Sequence, residues 1–292
     1  MNYSDACIYT GDRVITKSYA KINLTLDVLN KRKDGYHEIE SIMQSVSLFD
    51  LILLDKLDEI KIKTNLRYLP INDKNIAYKA AQMFFRASKI KGGASIMIHK
   101  NIPVGAGLAG GSTNAAAVLM GLNRLYDNPL TQKKLFDIGA KLGADVPFCM
   151  MGGTVLCGGI GEKLTPIASA AGLNVLIVKP KIGISTQDIF KAYDRAEIPK
   201  RPDNKAMISA IEEKNLKGIC ENVSNVLEFV SARRYPVIPG IISTMKAHGA
   251  LCSAMTGSGS AVFGIFPTNA KADKCAKLFY PDFNDVYSVI TI

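Results

Sequence analysis

Four glycines fall within seven positions in the run PVGAGLAGGST, which comprises Pro103, Val104, Gly105, Ala106, Gly107, Leu108, Ala109, Gly110, Gly111, Ser112 and Thr113. Without side chains, the backbone N–H groups of such a run can point into one concavity. A helix beginning at Ser112 or Thr113 adds unpaired N–H groups and the positive end of its dipole. The chemistry this suits is the holding of phosphate, and a side chain at Gly107 or Gly110 is expected to obstruct the ligand more than the fold. Gly105, Gly107 and Gly110 also satisfy G-x-G-x-x-G, but a dinucleotide fold needs the first glycine directly after a strand. Here Asn101-Ile102-Pro103-Val104 intervene. A Walker loop fails as well, because Gly111 stands where its lysine belongs, and the chain has neither the H-R-D nor the D-F-G of a protein kinase.

Moving a phosphoryl group requires a positioned hydroxyl, an acceptor for its proton, and positive charge near the group in flight. Lys21 and Asp145 are the candidates. Lys21 interrupts an apolar alternating strand, where an interior lysine ordinarily lies on the solvated face. Asp145 stands between a helix ending at Gly143 and a Pro147 that is expected to forbid helical continuation, hence on a bend where a carboxylate can face a cleft. Its ordinary alternative is a capping or turn residue.

The elements that must position these groups follow from periodicity. Residues 19–29 (YAKINLTLDVL) alternate as a half-buried strand does, with a turn at Lys33-Asp34-Gly35. More strand is expected over 39–54, 60–64 and 94–99. A helix over 75–87 takes Asn75 as its N-cap, and helices follow over 112–125 and 131–142. After Gly152-Gly153, residues 154–157 form a strand that turns at Gly158-Gly159. In the second half, 174–179 reads as a strand and 186–193 as a helix. The pattern is helical over 205–231 and again over 240–248, where Gly249 closes it. Residues 250–266 read as two strands joined by Gly257-Ser258-Gly259. The domain boundary is placed near Gly161, giving domains 1–160 and 161–292.

Composition bounds the function. At 292 residues and 48% hydrophobic content the chain can bury a full core. No apolar run reaches a membrane span, and residues 1–13, which include Asp5 and Asp12, lack the features of a signal or transit peptide. Six scattered cysteines and three histidines offer no zinc spacing, so a cytoplasmic protein with reduced thiols and no metal site of its own is expected. The net charge of +10 suits an anionic ligand. Its basic residues form no tail or arginine-rich arm, which favours a phosphorylated small molecule over nucleic acid.

The loop resembles the second motif of the superfamily of galactokinase, homoserine kinase, mevalonate kinase and phosphomevalonate kinase (GHMP kinases). Ala20-Lys21-Ile22-Asn23-Leu24 and Met255-Thr256-Gly257-Ser258-Gly259-Ser260 resemble motifs of the same superfamily in the same order. The resemblance implies an α+β, two-domain GHMP kinase fold: an N-terminal half like ribosomal protein S5 domain 2 and a ferredoxin-like C-terminal half. It also implies ATP with Mg2+ as the phosphoryl donor, its phosphates wrapped by the loop.

Asp34-Gly35-Tyr36-His37, G-A-D-V-P-F from Gly143, and G-G-T-V-L-C-G-G-I-G-E-K-L from Gly152 resemble one branch of the superfamily. Its members phosphorylate the 2-hydroxyl of a cytidine diphosphate-linked small molecule in the non-mevalonate route to isoprenoids. By that resemblance Asp145 is the general base, and Lys21 lies beside it near the γ-phosphate, where an ammonium favours the ionised carboxylate. Tyr36 stacks on the cytosine, His37 bonds its edge, Phe190 closes the other side, and Asn23 and Thr186 share the substrate. Lys100 and Asn114 match nucleotide-contacting positions. Other superfamily kinases, acting on mevalonate, homoserine or a sugar, and a non-catalytic nucleotide or RNA binder remain as alternatives. No membrane or nucleic-acid partner is expected, and the chain is expected to be a monomer or homodimer.

Overall fold

The computed structural model describes residues 7–292. The expectation for the N-terminal stretch rests partly on residues 1–6, which lie outside the described residues. Along the chain run β1 (Cys7–Tyr9), β2 (Arg13–Lys31), β3 (His37–Leu57), β4 (Lys61–Thr64), α1 (Ile76–Ser88), β5 (Gly93–His99), α2 (Gly110–Leu125), α3 (Gln132–Leu142) and α4 (Val146–Met151). There follow β6 (Thr154–Gly158), β7 (Lys163–Pro166), β8 (Asn174–Lys179), α5 (Thr186–Tyr193), α6 (Asn204–Glu212), α7 (Leu216–Asn222), β9 (Ser224–Asn225) and α8 (Val226–Arg234). The last are α9 (Val237–Ala247), β10 (Cys252–Met255), β11 (Val262–Phe266), α10 (Asn269–Ala276) and β12 (Asp285–Ile290). They form two compact units, each discontinuous in sequence.

Unit one comprises residues 7–20, Leu48–Val104 and Ala109–Gly152. Its strand pairs are β1 against β2, β3 against β5, and β4 parallel to β5. In α1 the buried side chains are Ala77, Ala80, Ala81, Phe84 and Phe85, one stripe at helical spacing. Asn75 caps this helix, its side chain accepting from Ala77 N at 2.9 Å. The small residues Ala115, Ala116 and Ala117 let α2 pack closely on α1, and Phe84, Ile96 and Leu119 fill the core between helices and strands.

Two expectations are corrected in this unit. The second helix starts at Gly110, ahead of Ser112, because Ala109 turns the chain with φ 58° and serves as the N-cap. Pro147 does not stop a helix but lies in the first turn of α4, with Asp145 as the N-cap residue. A proline there gives up only an N–H that has no intrahelical partner.

Unit two comprises Lys21–Ser47, Gly105–Leu108 and Gly153–Ile292. Its antiparallel sheet has the order β10–β11–β8–β12, and α10 separates β11 from β12. With the helices that precede β10, this is the β-α-β-β-α-β plan of a ferredoxin-like half. Leu176, Val178, Ile189, Leu227 and Phe266 lie in its core. The helical run over 205–231 divides into three helices, since Lys214 adopts φ 53° and Asn215 and Asn225 each start a new helix by capping it. The helix expected from Gly240 begins earlier, at Val237. β6 pairs with β3 and with β7, and β9 adds parallel to β2, setting Thr25 opposite Ser224.

The strand expected to be half-buried is buried on both faces from residue 20 to residue 28. Ala20, Ile22, Leu24, Leu26 and Val28 occupy one face, and Lys21, Asn23, Thr25 and Asp27 the other. Its alternation therefore separates an apolar core from a buried polar row, not from solvent.

β10 ends on Glu228, whose carboxylate accepts from Met255 N at 2.6 Å. Burial pushes the Glu228 carboxyl up, opposed by that bond and by Lys246. A carboxyl raised in the fold stabilises most at acid pH, and the benefit is lost as pH rises through its folded value. Glu228→Gln keeps an acceptor and removes the charge. It is expected to raise Tm by about 2–4 °C at pH 8 and less at pH 5, read from melts at both values.

Candidate active site

The glycine loop is held by its backbone. In unit two, Leu108 O accepts from Lys21 N at 3.2 Å and Ala106 O from Ala261 N at 3.1 Å. The Thr256 hydroxyl lies 3.4 Å from Gly107 O. Gly105 and Gly107 adopt φ of +64° and +78°, a region costly for residues with a Cβ. Their surroundings differ. A Cβ on Gly107 would strike Thr256 O, whereas one on Gly105 would meet nothing within 4 Å. In unit one, a Cβ on Gly110 would come 3.0 Å from both the Lys100 ammonium and Ile102. A side chain at Gly107 therefore strikes the protein first, contrary to the sequence expectation, and one at Gly110 crowds Lys100 and Ile102. Gly105 is the open position.

The start of α2 is bare. α1, α3, α5, α6, α7, α8 and α10 are each capped by a side chain, but α2, like α4 and α9, has none. Ala109 O accepts from Thr113 N at 2.9 Å, so the N–H groups of Gly110, Gly111 and Ser112 precede the first such bond. The Thr113 hydroxyl donates to Tyr19 O at 2.8 Å. Ser112 keeps its hydroxyl without a partner among the described residues. An ideal Cβ on Gly143 would lie 4.0 Å from Ser112 Oγ, so the turn that carries half-buried Asp145 borders the same end of α2.

Lys100 and Asn114, expected at the nucleotide, are buried and spend their polar groups on the chain itself. The Lys100 ammonium pairs with Asp50 and donates to Asn114 Oδ1 at 3.2 Å and to Gly110 O at 3.3 Å. Asp50 also accepts from Asn101 N at 2.7 Å, Ile102 N at 2.8 Å and Asn114 Nδ2 at 2.7 Å. Burial pulls the Lys100 ammonium below its ordinary range, and Asp50 opposes the shift. This network ties the strand end before the loop to the first turn of α2. Asp50 was missed from sequence, although a carboxylate inside LFDLILL breaks an apolar strand just as Lys21 does.

Lys21 is 3% exposed. Its ammonium donates to Asn23 Oδ1 at 2.6 Å, which places both residues on one face of β2. Asn23 is fixed further: its backbone N donates to Thr256 Oγ1 at 3.0 Å and its amide to Ser41 Oγ at 2.8 Å. Thr256 thus links the strand carrying Lys21 to the turn that follows β10. Ser258 on that turn meets Thr186 hydroxyl to hydroxyl at 2.7 Å, at the start of α5.

Tyr36 follows the turn after β2 and is 61% exposed. Its neighbour His37 stacks on Phe190, with centroids 4.8 Å apart and planes at 27°. His37 Nε2 lies 2.6 Å from Asp194 Oδ1, and Lys31 bonds the other oxygen at 2.5 Å. The structure thus brings His37 and Phe190 together, and it brings in Asp194 and Lys31. Nothing in the local sequence marks Asp194, because its partners lie far away along the chain. Among the described residues no cluster of His, Cys, Asp and Glu is arranged for a metal ion, and no helix is long and apolar enough to cross a membrane. No disulfide joins any of the six cysteines.

Known proteins match this chain along nearly its whole length. The profile of the GHMP kinases N terminal domain matches residues 75–153, and that of the GHMP kinases C terminal region matches residues 207–277. The 4-diphosphocytidyl-2-C-methyl-D-erythritol kinase of Caldicellulosiruptor saccharolyticus is 52% identical over 265 residues, covering 90% of this chain and 91% of the relative. The kinase of the same name from Clostridium botulinum is 46% identical over 277 residues, covering 94% and 99%. A crystal structure of 4-(cytidine 5'-diphospho)-2C-methyl-D-erythritol kinase superposes with a TM-score of 0.82 at 29% identity, covering 95% of this chain and 98% of that one. Homoserine kinase from Cytophaga hutchinsonii shares the fold, with a TM-score of 0.75 at 18% identity over 98% of this chain and 96% of its own. The chain belongs to the GHMP kinases and, within them, to the family of the 4-diphosphocytidyl-2-C-methyl-D-erythritol kinases.

Proposed function

We propose that this chain transfers the γ-phosphoryl group of ATP, bound as its magnesium complex, to the 2-hydroxyl of 4-diphosphocytidyl-2-C-methyl-D-erythritol. The acceptor is supported by relatives of that name that match at about half of all positions over nearly their full length. The observation that carries the donor site is the uncapped start of α2, preceded by a glycine whose missing side chain faces open space. Uncapped N–H groups and the helix dipole suit an anion.

The residues then divide by task. Residues 103–113 hold the phosphates, while Lys100 and Asn114 act through Asp50 to keep that loop in place. Asp145 takes the proton of the attacked hydroxyl. Lys21 sets positive charge near the moving phosphoryl group, with Asn23 holding the ammonium. Tyr36, His37, Thr186 and Phe190 receive the cytidine end. A division into domains near Gly161 is supported by the two family profiles, which fall on either side of it. The reaction belongs in the cytoplasm, carried out by a monomer or homodimer.

ATP consumption measured against 4-diphosphocytidyl-2-C-methyl-D-erythritol, mevalonate, homoserine and galactose tests the assignment. Turnover with the first acceptor alone is expected. Preference for another acceptor moves the chain to a different specificity, and no turnover with any makes it a binder.

Two variants probe the pockets separately. Gly105→Ala places a methyl where the chain itself leaves room, at the cost of a left-handed φ, and is expected to raise the ATP KM about tenfold while lowering Tm by about 5 °C or less. An unchanged ATP KM would remove that face of the loop from the nucleotide. Tyr36→Ala forfeits base stacking of roughly 1–3 kcal/mol, so the cytidine substrate is expected to weaken about 5- to 150-fold with little change for ATP. A loss confined to ATP would exchange the two pockets.

A further inference from the structure

The surroundings of His37 decide which of its nitrogens carries the proton. Its side chain is 8% exposed, and Nε2 meets Asp194 Oδ1 at 2.6 Å. The bonds from Lys31 and then from His37 hold the Asp194 carboxyl below the usual carboxylate range. An ionised carboxylate only accepts hydrogen bonds, so Nε2 must be the nitrogen that bears hydrogen. Nδ1 makes no bond among the described residues. The ring cannot readily turn over, because one face rests on Phe190 at 4.8 Å. Asp194 is anchored as the C-cap of α5, its N–H donating to Phe190 O at 3.0 Å. The same end of α5 is tied to β2 through the Tyr193 hydroxyl, which donates to Val28 O at 2.9 Å.

We propose that Asp194 is a positioning residue for base selection: by keeping the His37 proton on Nε2, it presents Nδ1 as a bare acceptor that takes cytosine and refuses uracil. The proposal rests on the assignment of His37 to the base in the proposed function. Cytosine offers an exocyclic amine, N4–H2, where uracil offers the oxygen O4. An amine satisfies Nδ1, whereas an oxygen sets two acceptors face to face and leaves both without a donor. A site built around a hydrogen bond discriminates strongly against a ligand that cannot make it. Lys31 has a supporting part, since its ammonium keeps the second carboxylate oxygen occupied.

The tautomer can be measured directly. The chain has three histidines, His37, His99 and His248, so a long-range 15N–1H correlation spectrum is readable, and His37→Gln identifies the signals. Neutral His37 in the wild-type protein is expected as the Nε2–H form, and Asp194→Ala is expected to give a mixture of the two forms. In Asp194→Asn the amide can either accept from Nε2 or donate to it, so both forms are allowed there too. For both variants the ratio of kcat/KM for the cytidine-linked substrate over its uridine analogue is expected to fall about tenfold. The loss should sit in KM, with kcat for the cytidine substrate near wild type.

An Nδ1–H tautomer in the wild-type protein overturns the proposal without any Asp194 variant. So does an unchanged cytidine-to-uridine ratio in folded Asp194 variants. If the wild-type protein turns over neither substrate, the proposed function fails, and the base selection that rests on it falls with it. The spectrum then still reports separately whether Asp194 fixes the His37 proton.

Discussion

Lys21→Met is expected to lower kcat about 100- to 1000-fold while leaving the KM for ATP and for the cytidine substrate within a few-fold of wild type. Methionine keeps most of the stem volume at a position that is 3% exposed, so no large cavity opens. Asn23, one partner of the Lys21 ammonium, is not orphaned either. Asn23 Oδ1, which accepts the ammonium at 2.6 Å, can still accept from the Thr256 hydroxyl at 3.2 Å. Tm should therefore change little. What is lost is a charge held in place by Asn23, itself bonded to Thr256 and Ser41. Charge on the phosphoryl oxygens is shared between ground and transition states, but in the proposed role the ammonium acts on the group in flight, so its removal is expected to act mainly on kcat. Rates at saturating substrate together with a melting curve check this. A folded Lys21→Met protein with wild-type kcat would leave Lys21 a purely structural residue.

Much of the framework that carries the candidate site was legible because its signals are local. Glycine spacing located the loop, and Asn75, Thr131 and the pattern over 186–193 located helices that the structure reproduces within a residue. The misplacements have long-range or stereochemical causes. The polar face of β2 could not be known as buried, because what shares that burial comes from far along the chain: Thr25 bonds Asn204 at 2.5 Å, and Asn23 bonds Thr256 at 3.0 Å. Ala109 at φ 58° starts α2 early, and no propensity assigns that conformation to alanine. Pro147 was read as a stop when it marks a start, because the same fixed φ serves both.

Two acidic residues illustrate the limit in different ways. Asp50 carried a signal, an isolated carboxylate in an apolar strand, and the structure shows it joining Lys100, the backbone of residues 101 and 102, and Asn114. Asp194 carried none. A charged residue closing a short helix is ordinary until its partners, Lys31 and His37, are brought to it by the fold.

The most direct measurement is the turnover of Asp145→Asn. Asp145 is the N-cap residue of α4 but makes no side-chain cap bond to that helix. The substitution therefore spares the start of α4, and asparagine preserves shape and hydrogen-bonding capacity while losing the ability to take a proton. A positioned general base contributes roughly 10²–10⁴ in rate. With ATP and 4-diphosphocytidyl-2-C-methyl-D-erythritol both saturating, the folded variant is expected to turn over about 10²- to 10⁴-fold more slowly, with both substrates still binding at near wild-type affinity. Near-normal turnover in a folded Asp145→Asn protein would contradict the account, leaving magnesium, Lys21 and positioning to carry the transfer without a base at this residue.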